Sequence, residues 1–240
     1  MCTLEKRGNI FVLTLTGDDQ HRLNPTLIAT LQTHLSQAKA QASRGSVLVT
    51  LAQGKFFSNG FDLEWAQKVS SSADEAHARL VEMVELFRPV VKDLIALPMP
   101  TIAAVTGHAA AAGMVLALSH DHVFMRRDRG VMYMSEIDIG LPLADYFTAL
   151  FRSKVASPAA WRNMLLNGMK LKAEDAVAMG IIDSAYDDAE KTVEAAVQLA
   201  EKLGKRKWDG AVYGEIRKSL HPELCNIVGL VDTGLATSRL

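Results

Sequence analysis

The chain has 240 residues, of which 49% are hydrophobic and only two are cysteine. This is enough apolar material for a sizeable buried core, which excludes a disordered chain, a collagen-like repeat and a disulfide-stapled mini-protein. Lys and Arg number 26 against 27 Asp and Glu, so no excess positive charge is available for nucleic acid. Apolar runs are too short for a membrane span. We therefore expect no nucleic-acid partner, no membrane span, and free thiols at Cys2 and Cys225.

The first sixty or so positions alternate between strand and helix patterns. A run of aliphatic and β-branched residues predicts a strand over 10–15. Asn24, a good N-cap in front of a proline, predicts a helix that continues to Ala42. The continuous apolar run over 46–52 is typical of a strand buried on both faces, and we expect a loop over 53–60.

The later elements extend the same alternation. The patterns predict a long helix over 73–96 and then short strand-like runs at 101–105, 123–125, 131–133 and 181–183. From Ala144 onward the pattern is otherwise helical almost to the end. The sequence therefore predicts an α/β fold with a mostly parallel sheet and a helical C-terminal part.

Two segments lead from a predicted strand into small, turn-forming residues and then directly into a helix. They are 55–63, after the strand over 46–52, and 107–113, after the strand over 101–105. Amide groups at a helix start have no partner within the helix, and the helix dipole favours negative charge there. Two such turns that converge would form an oxyanion hole. For either segment alone, close packing of a helix start is the simpler explanation.

Three motifs, in matching order and spacing, resemble those of one family. FFSNGFDL at 56–63 resembles the F-S-A-G-x-D-L signature of the crotonase (enoyl-CoA hydratase/isomerase) superfamily. AVTGHA at 104–109 resembles its A-V-x-G-x-A strand and turn, and SEIDIGLP at 135–142 matches its P-E-x-x-x-G segment. The resemblance extends from about Leu4 to Tyr186.

The resemblance implies a spiral core of ββα units over 1–186 and a helical C-terminal region over 187–240 that serves trimerisation, as a homotrimer or a dimer of trimers. It also implies an acyl-CoA thioester as substrate, with the thioester carbonyl oxygen held by the backbone amides of Phe61 and Ala112. No metal and no cofactor besides the substrate is expected.

The catalytic prediction depends on a departure from the hydratases of the family. Those enzymes hold a water between two glutamates, but here the first position is Val115 and the second is Glu136. A single base suffices to move a double bond, because it can take a proton from C2 and return it at C4. We expect Glu136 to have a raised pKa in a poorly solvated pocket, with Met132, Met134, Ile137 and Ile139 as its walls.

The resemblance also indicates where CoA binds. The expected contacts lie in two segments: Arg22 and Leu23, and the loop of Ser58, Asn59, Gly60, Phe61, Asp62 and Leu63. Asp62 is also a good N-cap for a helix that begins at Leu63. The groups that meet the phosphates stay open among Arg22, Lys55 and the basic run 205–207. Histidines 108, 120 and 122 have no metal-ligand spacing, so we expect structural roles for them.

The leading hypothesis is an isomerase that moves the double bond of a 3-enoyl-CoA to the trans-2 position during fatty-acid β-oxidation. A hydrolase, a dienoyl-CoA isomerase, a decarboxylase or a non-catalytic binding protein of the same fold are the alternatives. The last tripeptide, Ser238-Arg239-Leu240, resembles the S-K-L peroxisomal address, which predicts recognition by a peroxisomal import receptor and a peroxisomal location.

Overall fold

A computed structural model describes residues 1–230; the predicted targeting tripeptide at 238–240 lies outside these residues. The main sheet of the described chain has six strands: β1 (Cys2–Arg7), β2 (Ile10–Leu15), β3 (Val47–Ala52), β5 (Thr101–Val105), β7 (His122–Arg126) and β10 (Ser184–Tyr186). The order is β1-β2-β3-β5-β7-β10. β1 and β2 form an antiparallel hairpin, and all later neighbours pair in parallel. The mostly parallel sheet is confirmed.

A second, smaller sheet carries the two predicted turns. Its strands within residues 1–230 are β4 (Phe56–Ser58), β6 (His108–Ala110), β8 (Val131–Tyr133) and β9 (Leu171–Lys172), in that order across the sheet. The expected loop over 53–60 was therefore wrong in part, and so was the turn expected at 107–113, because each contains a strand. Three-residue strands are too short to show the alternation of side chains from which a strand is predicted.

The helices of the described part follow the order of the sequence. They are α1 (Pro25–Ala40), α2 (Leu63–Lys68), α3 (Ala73–Ala96), α4 (Ala112–Leu118), α5 (Asp145–Lys154), α6 (Pro158–Trp161), α7 (Ala173–Ala178), α8 (Ala189–Gly204), α9 (Gly210–Leu220) and α10 (Pro222–Ile227). A π-helical turn at Arg162–Leu166 follows α6. The predicted cap of α1 is confirmed, since the Asn24 side chain accepts a hydrogen bond from the Leu27 amide.

Two strand predictions need correction. β1 was missed because its sequence, CTLEKR, is mostly charged or exposed, as befits an edge strand with one face in water. The strand-like break predicted at 181–183 was placed too early, because β10 begins at Ser184. Ile181 and Ile182 are buried but lie in the turn before β10, so the apolar character reflects core packing instead of strand pairing.

Apolar layers cover both faces of the main sheet. Helices α1 and α3 contact each other and share one hydrophobic cluster with Leu48 of β3. On the opposite face, Val47 and Val49 pack against Ala196 and Ala200 of α8. Adjacent residues of β3 thus point into different cores, which explains its continuous apolar sequence. The division at 186 into a core and a C-terminal region stays a prediction.

A buried ion pair attaches α9 to the rest of the fold. The Arg217 guanidinium contacts both carboxylate oxygens of Asp121 at 2.6 Å, and the two side chains are only 3% and 14% exposed. Arg217 also donates to backbone carbonyls at the end of α3 and in the link to β5, those of Leu94, Ile95, Leu97 and Met99. Burial raises the pKa of Asp121, but the charge and hydrogen bonds of Arg217 outweigh it, so the pKa is lowered overall.

Candidate active site

The turn that carries Phe61 is held by the segment at Leu23. The Leu23 amide donates to the Gly60 carbonyl at 2.8 Å, and the Asp62 amide donates to the Leu23 carbonyl at 3.1 Å. In this parallel bridge the Gly60 carbonyl and the Asp62 amide, on either side of Phe61, both point towards Leu23. The amide of Phe61 itself therefore points away from the bridge, and it has no hydrogen-bond acceptor among residues 1–230.

The second predicted turn ends at the start of α4. Ala112 is the first residue of that helix, so its amide has no partner within the helix. Ala111, just before it, has φ +48° and ψ −124°, a conformation that a residue with a Cβ rarely adopts. The Ala111 amide is fixed by a 2.8 Å hydrogen bond to the Tyr133 carbonyl of β8. Strained backbone of this kind costs on the order of 1–3 kcal/mol and concentrates at functional sites.

The two turns are in direct backbone contact. A Cβ on Gly60 would lie 3.1 Å from the Ala110 carbonyl oxygen and 3.5 Å from the Ala112 amide nitrogen. A Cβ on Gly113 would overlap the Ser58 carbonyl oxygen at 2.2 Å. At Gly113 the backbones approach too closely for a Cβ, and at Gly60 the tight contact is combined with φ +75°, which strains any residue that has a Cβ. The fold thus brings the predicted Phe61 and Ala112 segments together.

Glu136 lies on a turn after β8, spanning 136–140, and its carboxyl group is poorly solvated. The Glu136 carbonyl accepts a 2.9 Å hydrogen bond from the Leu141 amide, which fixes the turn. The side-chain Oε2 atom is buried and has no hydrogen-bond partner in the described structure. Burial raises the pKa of Glu136, although its own amide and that of Ser135 partly oppose the shift. The raised pKa predicted from the sequence is confirmed.

Glu136 and Phe61 line one cavity of about 410 Å³. Its floor is aromatic: the Phe61 ring packs edge-on against Phe87 at 5.8 Å and parallel to Phe147 at 6.3 Å. The walls come from one side of α3 and from the segment that leads into α5, with lining residues His77, Leu80, Val81, Val84, Glu85, Arg88, Leu141, Pro142, Leu143, Ala144 and Asp145.

The walls differ from those expected. Met132 and Met134 are buried in the core, whereas Ile137 and Ile139 are 54% and 50% exposed, and within residues 1–230 none of the four lines this cavity. The sequence places all four close to Glu136, but the turn at 136–140 directs the carboxyl group towards α3 instead. Helix α3 is remote in sequence, so no local pattern could assign it to the site.

The residues expected to contact CoA are adjacent in space. Arg22 contacts Glu64 at 3.2 Å and the Gln20 side chain at 3.0 Å, and Leu23 is fully buried. Ser58 Oγ donates to the His21 carbonyl, and the Asn59 amide donates to Gln20. The two segments, 22–23 and 58–63, are therefore in direct contact, and their role in binding CoA stays a prediction.

Asp62 caps α2 as predicted, since its side chain accepts a hydrogen bond from the Trp65 amide at 3.0 Å. The sequence reading missed His21, which is buried with φ +47° and holds the Phe56 carbonyl through Nδ1 at 2.9 Å. His21 is unusual in its positive φ and in its Nε2 atom, which is buried without a hydrogen-bond partner in the described structure, and neither feature is visible in the sequence.

The three histidines expected to be structural, His108, His120 and His122, each have a protein partner. His120 is fully buried between the Leu116 carbonyl and the Thr50 hydroxyl, and burial lowers its pKa to about 4. His108 packs against the Phe56 ring, and His122 lies 3.5 Å from Asp183. Within residues 1–230, no group of His, Cys, Asp or Glu side chains is suited to a metal ion, and none of the helices there is long and apolar enough to cross a membrane. Both cysteines are buried, and neither belongs to a disulfide among residues 1–230.

Residues 5–221 match the enoyl-CoA hydratase/isomerase family. The chain belongs to this family. It is 61% identical to "Enoyl-CoA delta isomerase 2, peroxisomal" of Arabidopsis thaliana across the full length of both chains. It is also 50% identical to "Enoyl-CoA delta isomerase 1, peroxisomal" of the same plant, covering all of this chain and 98% of the relative.

Solved structures of the family share the fold. An enoyl-CoA hydratase of Mycobacterium ulcerans superimposes with a TM-score of 0.82 at 22% identity, over 95% of this chain and 94% of that one. A probable enoyl-CoA hydratase of Mycobacterium tuberculosis gives 0.83 at 19% identity, over 95% and 91%. At such low identity the likeness concerns the fold alone, and it confirms the predicted crotonase architecture with its helical C-terminal region.

Within this enoyl-CoA hydratase/isomerase fold, one carboxyl group of the cavity is distinguished by its lack of partners. Glu85 and Asp145 also line the cavity, but both form ion pairs with Arg88 at 2.9 Å. Val115 is fully buried in α4 and offers no carboxylate. Among the lining residues of the described chain, Glu136 is therefore the acid that has no basic partner.

Proposed function

We propose that the protein is an isomerase that converts 3-enoyl-CoA to trans-2-enoyl-CoA. The observation that carries this proposal is the buried, unpartnered Oε2 of Glu136 in a cavity shared with Phe61. Full-length relatives at 50–61% identity are named enoyl-CoA delta isomerases, which supports the same reaction class. The substrate, an acyl-CoA thioester, is the group that the site binds, and the reaction calls for no separate cofactor.

The reaction needs one base and one anion site. The Glu136 carboxylate takes a proton from C2, and the electron pair of that C–H bond becomes part of a dienolate whose negative charge rests on the thioester oxygen. The amides of Phe61 and Ala112 donate to this oxygen. The protonated Glu136 then returns the proton at C4, which leaves the double bond between C2 and C3 and restores the thioester.

The environment of Glu136 suits both halves of this shuttle. A carboxylate without a counter-ion or donor at Oε2 is a stronger base than a solvated one, because burial disfavours its charged form. The same carboxyl group must release the proton at C4, and a pKa shifted towards neutral balances the two steps. Adding water would require a second group to orient the water, and Val115 cannot serve.

The test is a direct assay of the conversion, followed by the absorbance of the conjugated 2-enoyl thioester. The proposal expects this signal to grow without release of free CoA and without a 3-hydroxyacyl product. Free CoA would indicate a hydrolase, loss of carbon dioxide a decarboxylase, and turnover of dienoyl substrates alone a dienoyl-CoA isomerase. No turnover of any acyl-CoA would leave a binding protein, and each of these outcomes contradicts the proposal.

The CoA moiety is proposed to bind along Arg22, Leu23 and the loop at 58–63, two segments in direct contact beside the Phe61 amide. The cellular site is proposed to be the peroxisome, as in the names of two of the Arabidopsis relatives, with the terminal tripeptide at 238–240 as the import signal. A fluorescent fusion that exposes the native C-terminus should enter peroxisomes, and deletion of 238–240 should leave it outside. Uptake of the truncated form would contradict the role of the tripeptide.

The assembly is proposed to be a homotrimer or a dimer of trimers, joined through helices of the C-terminal region. An apolar stripe on α9 supports this, since Val212, Ile216 and Leu220 are 55%, 57% and 68% exposed at four-residue spacing. Trp208 continues the stripe. Ile216→Glu should lower the mass measured by light scattering, whereas Gln198→Glu on α8 should not. An unchanged mass for Ile216→Glu would remove α9 from the interface.

A further inference from the structure

The cavity that contains Glu136 is elongated along α3. Lining residues recur on one side of this helix from His77 to Arg88. The opposite wall, 141–147, runs in the same direction: Leu141 borders a neighbouring hollow with His77 and Leu80, whereas Asp145 contacts Arg88. The cavity therefore has one end near Leu80 and another near Arg88.

The turn that carries Glu136 is near Leu80, whereas the Phe61 ring packs further along the cavity, against Phe87 and Phe147. The backbone carbonyl of Glu136 accepts a hydrogen bond from the amide of Leu141. Since Leu141 borders the hollow that contains Leu80, this bond holds Glu136 at that end of the cavity. Leu63 and Ala66 of α2, which follow the proposed CoA loop, line the hollow next to Leu80. A thioester placed between Glu136 and the Phe61 amide thus has its CoA on the α2 side, and the cavity continues along α3 towards Arg88.

Three charged side chains line the far end, and two of them, Glu85 and Asp145, are 56% and 59% exposed. We name Glu85, Arg88 and Asp145 the Arg88 cluster. Arg88 donates to both carboxylate oxygens of Glu85 at 2.9 and 3.0 Å and contacts Asp145 at 2.9 Å. Its guanidinium also lies 4.7 Å from the centre of the Tyr146 ring. These contacts join α3 to the start of α5, and only 23% of the Arg88 side chain is exposed.

We infer that the Arg88 cluster sets the upper limit on the length of the acyl tail, which makes Arg88 a specificity-determining residue for medium-length substrates. This inference rests on the proposed function, since it takes the cavity to hold an acyl-CoA. A tail that stays between Leu80 and the cluster lies against apolar side chains and an aromatic floor. A longer tail meets three ionic groups that are already paired with one another. Contact between these groups and a methyl group adds no binding free energy.

The longest acyl tail that the cavity accepts can be estimated from the length of the cavity along α3. Leu80 and Arg88 are eight residues apart along α3, which is about 12 Å of helix. An extended chain advances about 1.2 Å per bond, so at most about ten bonds fit beyond the reactive carbons. Long helical side chains lean towards the N-terminus of their helix, which brings the guanidinium nearer and shortens this further. The break should therefore fall at or before a 14-carbon acyl chain.

The first experiment uses the wild-type protein and 3-enoyl-CoA substrates of 6 to 16 carbons. For tails inside the apolar section, kcat/KM should rise by up to about four-fold per methylene, the equivalent of burying one CH2 group. At or before 14 carbons the rise should stop. In parallel, calorimetric titration with saturated acyl-CoA thioesters of the same lengths should show the same break in Kd without any chemistry.

The second experiment moves the limit. Arg88→Met replaces the guanidinium with an apolar side chain, and the ratio of kcat/KM for 16 carbons to that for 8 carbons should increase by about ten-fold or more. Glu85→Met removes the bidentate partner of Arg88 and should shift the ratio in the same direction if Arg88→Met does not fold. The matched control is Arg79→Met, on the same helix and paired with Glu82, because Arg79 does not line the cavity.

The outcomes separate the two proposals. Turnover with a constant gain per methylene through 16 carbons, or a shift of the ratio in Arg79→Met as large as that in Arg88→Met, overturns the role of the Arg88 cluster and leaves the isomerase intact. A break in Kd without isomerisation overturns the isomerase and keeps the cluster as the limit of an acyl site. Failure of every acyl-CoA to bind overturns both.

Discussion

Replacing Glu136 with glutamine tests the site most directly. The amide has nearly the same shape as the carboxyl group, but it cannot take up and return a proton at working pH. Because Oε2 has no partner in the described structure, the substitution breaks no hydrogen bond or ion pair at that atom. A loss of activity therefore reports on proton transfer and not on a rearranged loop.

The expected effects on activity and stability have opposite signs. Removing a positioned general base lowers kcat by about 10²–10⁴-fold. Stability should rise at pH 7, because a neutral amide replaces a carboxylate whose charged form is disfavoured by burial. The native pKa of Glu136 lies above its ordinary value of 4.5, so its contribution to stability is full below pH 4.5 and is lost as pH rises through the native pKa. The advantage of Glu136→Gln should thus vanish below that pH.

The assays are isomerisation kinetics, calorimetric binding of a saturated acyl-CoA, and urea unfolding at pH 4 and pH 7. Asp138→Asn is the matched control, since Asp138 lies on the same turn with its side chain exposed; it should retain turnover. In the wild type, the acidic limb of kcat/KM should lie above pH 4.5, where Glu136 loses its proton. If Glu136→Gln keeps a tenth or more of wild-type turnover, Glu136 is not the base.

Three further substitutions probe the backbone and the C-terminal attachment. Ala111→Gly should raise the free energy of unfolding by about 1 kcal/mol, because glycine tolerates φ +48°; lower stability in urea would show that the conformation is not strained. Gly113→Ala should destabilise by about 1–3 kcal/mol and depress turnover, since its Cβ would overlap the Ser58 carbonyl; wild-type kinetics would contradict the close contact. Arg217→Met should cost about 3–5 kcal/mol by leaving Asp121 buried without its partner. Because the pKa of Asp121 is lowered, the stability from this pair is present above pH 3.8 and is lost as pH falls through the native pKa. In urea titrations the free energy of unfolding of the variant should therefore depend less on pH in the acid range than that of the wild type.

Elements with strong local signals were predicted closely from the sequence. The helix over 73–96 agrees with α3 at both ends, because Ser72 caps its first turn and Pro98 follows its last. The strands β2 and β5 also match their predicted bounds. Each of these elements carries its own boundary signal, so tertiary contacts did not need to move it.

Elements that depend on a neighbour were missed. β4 and β6 are three residues long and exist as strands only because they pair with each other and with β8. β1 carries charges on an exposed face and is a strand because it pairs with β2. Hydrogen bonds between segments that are distant in sequence leave no trace in a local pattern of hydrophobicity.

The candidate site also has a part that was predicted from the sequence and a part that was not. Glu136, Phe61 and Ala112 were singled out because motifs with fixed spacing surround them, and the fold places Glu136 and Phe61 on one cavity and Phe61 beside Ala112. The walls of that cavity were not predicted. They come from α3 and from 141–147, whose apolar residues look like ordinary core positions until the packing of the two segments leaves a space between them.

The sequence by itself determined the α/β class and the approximate positions of the two strand-to-helix segments, because these depend on short-range spacing, and its resemblance to the crotonase superfamily pointed to Glu136 and Val115. The tertiary structure alone decided that Oε2 of Glu136 lacks a partner among residues 1–230, that the backbones at Gly60 and Gly113 touch the opposite turn, and that Arg88 pairs with Glu85 and Asp145 at one end of the cavity. The reason is physical: solvation, close backbone contact and the direction of a cavity arise from residues that the chain brings together only on folding.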